Sequence, residues 1–354
     1  MIAIIAAGLL ALPALLVQVA TALIVAFLSV PALCILLFRK PRHLRPNLGD
    51  PDGDAHVIIT GGSSGIGLSI ARECARRGVR RVTILARTVS KLETAKKELE
   101  ELNAQSKKTK QIKAVSVDVT DYKALEKTAL ELLGKTPSHS TYLFCCAGET
   151  EPAYFDDIPP DVFARITQTN QLGSIYTTKA FLPHMKAGTI CFCSSICGQI
   201  GIFGYSAYSP TKFALRGFAE CLHVELCNSP VNVQIAYPPD TDTPGFEKEN
   251  VGKPKETQLI SEQGGLSKPD DIARVMVTEA FRPNPRFNVY FTFDAWMLSS
   301  LTAGFSPIAT MQDGVSQVAG MTLFRFVSLF YLHDWWRIVR KFQEERDAEM
   351  SKTK

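Results

Sequence analysis

Seven short β-branched runs, separated by longer amphipathic ones, constrain this chain more than any other feature. The strand candidates are HVIIT (56–60), RVTILA (81–86), IKAVSV (112–117), TYLFCC (141–146), TICFCS (189–194), VNVQIA (231–236) and FNVYFT (287–292). Their near-continuous apolar character suits strands covered on both faces. Helical periodicity fills the gaps over 65–77, 89–104, 121–133, 161–186, 208–227 and 269–281. This alternation predicts an α/β fold over residues 55–293, a Rossmann-like doubly wound parallel sheet with flanking helices and right-handed crossovers.

Ahead of that body, residues 2–38 carry no charged side chain. As one helix they would reach roughly 55 Å, against about 30 Å of hydrocarbon. A transmembrane anchor over 1–38 is expected, its surplus length a tilted overhang or a hairpin broken at Pro13 or Pro31. A cleaved signal peptide fits less well, because no basic segment precedes the run and it is too long for an h-region. RKPRHLR (39–45) follows and opens a basic juxtamembrane linker (39–54). Such a cluster stays on the cytoplasmic side. The nine cysteines show no CxxC spacing and there is no HxxxH, so no metal site is expected and a reducing compartment fits. A net charge of +4, with one short basic run at 107–110, argues against nucleic acid as the main partner.

Directly after the first strand stands TGGSSGIG (60–67). Strand, glycine-rich turn and helix together bring a pyrophosphate to backbone N–H groups at a helix N-terminus. Gly61 permits the turn, Gly65 the close approach of phosphate, and Gly67 the packing of helix on strand. With Ser63, Ser64 and Ile66 they are the candidate cofactor loop. The spacing is GxxxGxG and not GxGxxG. At the end of the second strand, Arg87 and Lys91 stand where an acidic residue would favour a free ribose hydroxyl. Cations there favour the extra phosphate of NADPH and NADP. Asp118, with Val119 beside it, ends the third strand and can accept from the adenine amino group or cap the next helix.

Tyr208 and Lys212, in YSAYSPTK, lie four apart at the start of a helical pattern and so share a face. Pro210 fits the first turn of that helix. A phenol near pKa 10 is a poor acid–base catalyst at neutrality, and bringing it to about 7 takes roughly 4 kcal/mol. A neighbouring ammonium stabilises the phenolate and is expected to lower the pKa. Ser194 and Ser195, at the end of the fifth strand, supply a hydroxyl to position the substrate oxygen. Hydride delivery to a ketone carbon, with the phenol giving the proton to oxygen, is the chemistry these groups suit.

Together TGGSSGIG, the serine pair, YSPTK and the strand pattern resemble the short-chain dehydrogenase/reductase family over residues 55–293. The resemblance implies that Asn170, in TQTNQLGS, joins serine, Tyr208 and Lys212 as a catalytic tetrad. It puts Lys212 on the nicotinamide ribose, with Tyr208, Ala147 and Gly148 against the cofactor and Thr243 near the carboxamide. Family spacing favours Ser195 over Ser194 without excluding the latter. Two departures stand out: the usual NNAG reads CCAG (145–148), and the usual PG after the sixth strand reads Pro238-Pro239. Family members often pair through core helices, so a homo-oligomer is implied.

AYPPDTDTPGF (236–246) and GQIGIFGYSAYSPTKFALRG (198–217) resemble a narrower branch. Its members reduce the ketone of a long-chain keto-sphingoid base at the endoplasmic reticulum membrane, with the active site toward the cytosol. A bilayer-resident substrate agrees with the anchor. Residues 294–336 are apolar but carry Asp313 and Arg325, and are expected to form an interfacial helix or a lid over an acyl chain. Tyr331, Trp335 and Trp336 suit the headgroup level. A charged tail (337–354) reads as a solvated helix. The rivals are a membrane-anchored steroid or retinoid dehydrogenase, and a non-enzymatic NADP-binding scaffold, against which the complete tetrad argues.

Overall fold

The computed structural model describes residues 54–352, apart from 107, 108, 110, 136–139 and 309. The expected anchor, the linker up to residue 53 and most of the run 107–110 lie outside the described residues. Seven strands form one sheet: β1 (His56–Thr60), β2 (Arg81–Ala86), β3 (Gln111–Ser116), β4 (Ser140–Cys145), β5 (Ala187–Cys193), β6 (Val231–Ala236) and β7 (Asn288–Val289). Their order is β3-β2-β1-β4-β5-β6-β7, and every neighbouring pair is parallel. The order reverses between β1 and β4, so the crevice at their carboxyl ends is the topological switch point where such sheets bind ligands.

The flanking helices are α1 (Gly65–Arg77), α2 (Val89–Ser106), α3 (Tyr122–Leu133), α4 (Pro160–Ile166), α5 (Gly173–Phe181), α6 (Ser209–Glu225), α7 (Pro244–Glu249), α8 (Lys255–Glu262), α9 (Pro269–Ala280), α10 (Phe293–Leu301) and α11 (Met311–Lys352). Side chains on a strand alternate between faces, and each face has its own core. Val57, Ile59, Tyr142, Phe144, Cys191 and Cys193 pack with α1, α2 and α9 through Ile70, Leu92, Leu99 and Met276. Ile58, Leu143, Ile190 and Phe192 face the other way, onto Leu125, Phe181, Leu215 and Leu222 of α3, α5 and α6. The Tyr142 ring stacks on Phe281 at 3.8 Å between centroids.

Four features depart from the sequence expectation. The helix expected over 161–186 is broken: a π-helical segment, Thr167–Leu172, joins α4 to α5, and a 3₁₀ turn, Leu182–His184, follows. β3 is the exposed edge of the sheet, with one side chain in two turned to solvent. The run FNVYFT yields only two paired residues, because β7 is the other edge and Thr292 already caps α10 by accepting from the Ala295 N–H at 3.2 Å. Finally, α11 runs unbroken past 336, where the sequence reading divided an apolar segment from a charged tail.

Candidate active site

The loop after β1 is shaped by what glycine alone permits. Gly61 and Gly65 have φ of 67° and 55°, in the left-handed region that favours glycine. A Cβ on Gly67 would sit 2.4 Å from the Gly61 carbonyl oxygen, and one on Gly61 would meet the Ala147 backbone at 2.9 Å. Turn, helix and the chain leaving β4 therefore close on one another. Thr60 ties them further, its Oγ1 accepting from the N–H of Cys146 (3.1 Å) and Ala147 (3.2 Å). The extended Ser64 precedes α1 without a side-chain cap, and the first turn has no acidic residue. The free N–H groups and positive end of the helix dipole thus meet a narrow, glycine-lined turn, which fits the pyrophosphate of a dinucleotide.

Along the same edge, Arg87 is exposed and stands 3.9 Å from Asp118. Ser63 and Lys91 line one side of a shallow cleft of about 230 Å³ after β2. Cations and a hydroxyl at this end fit a ribose phosphate. Asp118 closes a local turn, its Oδ1 accepting from the Thr120 N–H and hydroxyl, both at 2.9 Å. Asp121, not Asp118, caps α3. Val119 is buried and packs where a Cβ on Gly173 would strike it at 2.6 Å. Thr243 caps α7 by accepting from Phe246, and its side chain lies against Gly65.

Around Tyr208 the structure gathers all the residues of the expected tetrad. The two serines differ in direction. Ser194 is buried and donates to the Lys212 carbonyl at 3.0 Å. Ser195 is half-buried, accepts from Cys197 N–H at 3.2 Å, and has its hydroxyl near enough to the Tyr208 phenol to favour the phenolate. Lys212 is 5 % exposed; its ammonium donates to the Cys193 carbonyl at 2.9 Å and lies 5.4 Å from the Tyr208 ring centroid. Asn170, fully buried in the π-helical segment, accepts from Glu149 N–H at 2.8 Å and donates to the Glu149 carbonyl and the Thr211 hydroxyl. It pins the loop of Ala147 and Gly148 against α6. A Cβ on Gly148 would meet Asn170 Oδ1 at 3.2 Å and the Lys212 ammonium at 3.6 Å. π segments of this kind recur at functional sites.

The titration of Tyr208 differs from the sequence expectation. Burial pushes the phenol well above its ordinary value, nearby Cys197, Glu249 and Cys193 add to the rise, and the neighbouring Ser195 hydroxyl opposes it. Burial also lowers the Lys212 ammonium. The cost of removing charge from water exceeds the field of one lysine that is turned to a carbonyl.

On the other side of Tyr208 lies a group that the sequence reading passed over. The Tyr205 ring is 5.7 Å from the Tyr208 ring, and its hydroxyl donates to Glu249. Glu249 pairs with the buried Lys253 at 2.8 Å. Asp240, next to Pro239, accepts from Ser261, and burial raises its carboxyl above the usual range. Beside the phenol, then, Glu249 is paired with an ammonium while Asp240 is held by a hydroxyl. The signal was available in YSAYSPTK and PPDTDTPGF, but α7 and α8 are short and follow prolines, so no periodicity marked them. The CCAG departure has a local effect: the half-buried Cys146 thiol stands beside Cys193, and that neighbour and desolvation push it well above its ordinary value. The eight described cysteines are all free thiols.

A model of the short chain dehydrogenase family matches residues 55–253. The 3-dehydrosphinganine reductase of Danio rerio is 45% identical over 83% of this chain and 88% of its own length. The 3-ketodihydrosphingosine reductase of Bos taurus is 43% identical over 90% of this chain and 95% of its own. An alcohol dehydrogenase of the archaeon Thermococcus sibiricus, solved with 5-hydroxy-NADP, superposes with a TM-score of 0.55 at 26% identity, covering 67% of this chain and 96% of that one. Actinorhodin polyketide ketoreductase with NADPH shares the fold at a TM-score of 0.57 and 24% identity, over 68% and 97% of the two chains.

Proposed function

This chain belongs to the short chain dehydrogenase family, and on that premise we propose that it reduces the ketone of 3-ketosphinganine to the alcohol of sphinganine with NADPH. The names of its relatives from Danio rerio and Bos taurus support that substrate. The observation that carries the chemistry is the meeting of Asn170, Ser195, Tyr208 and Lys212 beside the switch point.

Gly61, Ser63, Ser64, Gly65, Ile66 and Gly67 would hold the pyrophosphate. Arg87 and Lys91 would take the ribose phosphate, Asp118 and Val119 the adenine, Ala147, Gly148 and Lys212 the second ribose, and Thr243 the carboxamide. The 5-hydroxy-NADP bound in the T. sibiricus enzyme supports this choice of cofactor. When bound, NADPH supplies the hydride that reaches the ketone carbon.

Everything else falls to the chain's own side chains. Ser195, not Ser194, is the serine we assign: its hydroxyl holds the ketone oxygen beside Tyr208. Tyr208 is the acid. Its raised pKa keeps it protonated at neutrality, which is the form that reduction starts from. Once the proton leaves, the phenolate meets the Lys212 charge. That charge stabilises the anion as it forms, while burial holds the phenol above its ordinary value until then. Lys212 therefore eases the transfer without ionising Tyr208 beforehand. Asn170 positions the loop and α6 around both.

The carboxylates favour an amino ketone over a neutral steroid or retinoid. Lys253 pairs with Glu249, which leaves Asp240 a desolvated carboxyl with no ion-pair partner within 4 Å among the described residues. A substrate ammonium next to the ketone would balance it. We also assign the protein to the endoplasmic reticulum membrane with its catalytic body toward the cytosol, on the strength of RKPRHLR (39–45) and the exposed apolar face of α11. Pairing of copies through core helices belongs to the same reading.

Purified full-length protein is incubated with NADPH and, separately, 3-ketosphinganine, a steroid ketone and retinal, and the products are analysed. Rapid NADPH oxidation with sphinganine as the product is expected. Faster reduction of the steroid or retinal would overturn the assignment.

A further inference from the structure

Helix α11 is long and apolar enough by composition to cross a bilayer, over Met311–Glu349. Its contacts argue for a different arrangement. Three side chains spaced eleven residues apart tie one side of it to the catalytic body. Phe324 is 7 % exposed and meets Trp296 of α10 edge-on at 5.2 Å. Trp335 donates to Gln263, just past α8, at 2.9 Å, and Gln263 donates to Asp334 at 3.0 Å. Arg346 donates to Glu256 of α8, a fully buried carboxylate, and to the Tyr154 hydroxyl at 2.9 Å. Eleven residues are close to three turns, so these three lie on one stripe. From 324 to 346 the helix covers about 33 Å, roughly the thickness of the hydrocarbon layer.

A helix fastened along that whole length cannot cross the bilayer unless the body enters with it. The Trp335–Gln263–Asp334 contact falls in the middle of the tethered stretch, and polar groups there would lose water without compensation. The opposite side of the same helix is exposed. It shows Val315, Val318, Leu323, Phe326, Leu329, Phe330 and Trp336, between 40 and 64 % accessible. These fall within one face at 100° per residue. Phe305, in the loop leading into the helix, is fully exposed. Just past Trp336 the outward face is cationic for about one turn, with Arg337, Arg340 and Lys341 exposed, before Glu344 and Asp347 follow.

We propose that α11 lies flat in the membrane interface, its inner stripe on the catalytic body and its outward apolar face sunk among the lipid headgroups and upper acyl chains. An apolar face ending in a tryptophan and cations is the pattern of a helix in the interface plane. The inference that lipid is the occupant rests on the reading of the substrate as a bilayer lipid; the flat geometry does not. The body is then held against the surface from which a long-chain ketone must be drawn.

The test uses full-length protein in phosphatidylcholine vesicles containing phosphatidylserine. A fluorescent amino acid is introduced singly at Val318, Phe326 and Leu329, and its depth is read with lipids brominated at shallow or deep acyl positions. Equal, shallow depth at all three sites is expected. A depth that changes progressively along the helix means a span and overturns the proposal, and absence of quenching means a face in water and overturns it too. As a second arm, Phe326→Ser with Phe330→Ser should raise the apparent KM for the vesicle-borne long-chain ketone about tenfold. The KM for a soluble short-chain amino ketone should not move. An unchanged long-chain KM contradicts the proposal. Absent turnover of both ketones would sink the substrate reading while the depth measurement still decides the geometry.

Discussion

The Lys212 ammonium lies 5.4 Å from the centroid of the Tyr208 ring and gives its hydrogen bond to the Cys193 carbonyl, not to the phenol. Lysine four residues after tyrosine thus yields proximity without direct contact. Burial shifts both groups toward their neutral forms, the phenol upward and the ammonium downward. Tyr208 is poised as an acid, and Lys212 is the group of the two that loses a proton first as pH rises.

The alkaline limb of the pH profile should therefore belong to Lys212. Its pKa is lowered from 10.5, so kcat/KM for ketone reduction should fall as pH rises through a value below 10.5, while Tyr208 remains protonated. Lys212→Arg keeps a charge that does not titrate in this range and should shift the limb upward, at a reduced kcat. A limb at the same pH in both proteins would assign it elsewhere.

The two serines should separate cleanly. Ser195→Ala removes the hydroxyl beside Tyr208, and kcat should fall about 10²-fold, the usual scale for a lost oxyanion donor. Ser194→Ala removes the second hydrogen bond of the Lys212 carbonyl, which sits within α6, and should cost about 0.5–1.5 kcal/mol of stability. Its kcat should stay within about threefold of the parent. Steady-state kinetics and urea unfolding of both variants distinguish these outcomes, and the reverse pattern would exchange the roles.

Arg87→Asp replaces the exposed cation after β2 by a carboxylate that repels a phosphate and accepts from ribose hydroxyls. The ratio of kcat/KM for NADPH over NADH should drop about 10–100-fold. The same ratio in variant and parent would remove Arg87 from cofactor choice.

Asp240→Asn removes the buried carboxyl that accepts from Ser261. The KM for the amino ketone should rise about tenfold while a neutral ketone of similar length is unaffected. Stability gives a second reading. A carboxyl whose folded pKa is raised contributes stability at acid pH and loses it as pH rises through the folded value. The Asn variant should therefore gain on the parent between pH 4 and pH 7 in urea unfolding. An equal rise in KM for both ketones would make the residue structural.

The fold and the tetrad were legible because local chemistry marks them. Buried parallel strands need unbroken apolar runs, the cradle needs Gly61, Gly65 and Gly67 at fixed spacing, and α6 must start where Pro210 allows. What escaped depends on neighbours distant in sequence. Nothing in SS (194–195) says which hydroxyl turns to the Lys212 carbonyl, since the alternation of β5 ends there. The π segment around Asn170 has the sequence periodicity of an ordinary helix. The direction of the Tyr208 shift depends on burial, which spacing cannot report. The tail past 336 reads as solvated by composition, yet Arg346 reaches the buried Glu256, ninety residues earlier.

The account stands on Tyr208 as the proton donor. Reduction of 3-ketosphinganine by NADPH is followed with Tyr208→Phe, alongside fluorescence titration of NADPH binding. NADPH binding should stay within about threefold of the parent while kcat falls about 10²–10⁴-fold. A variant that binds the cofactor and reduces the ketone at the parent rate would show that the proton comes from another group.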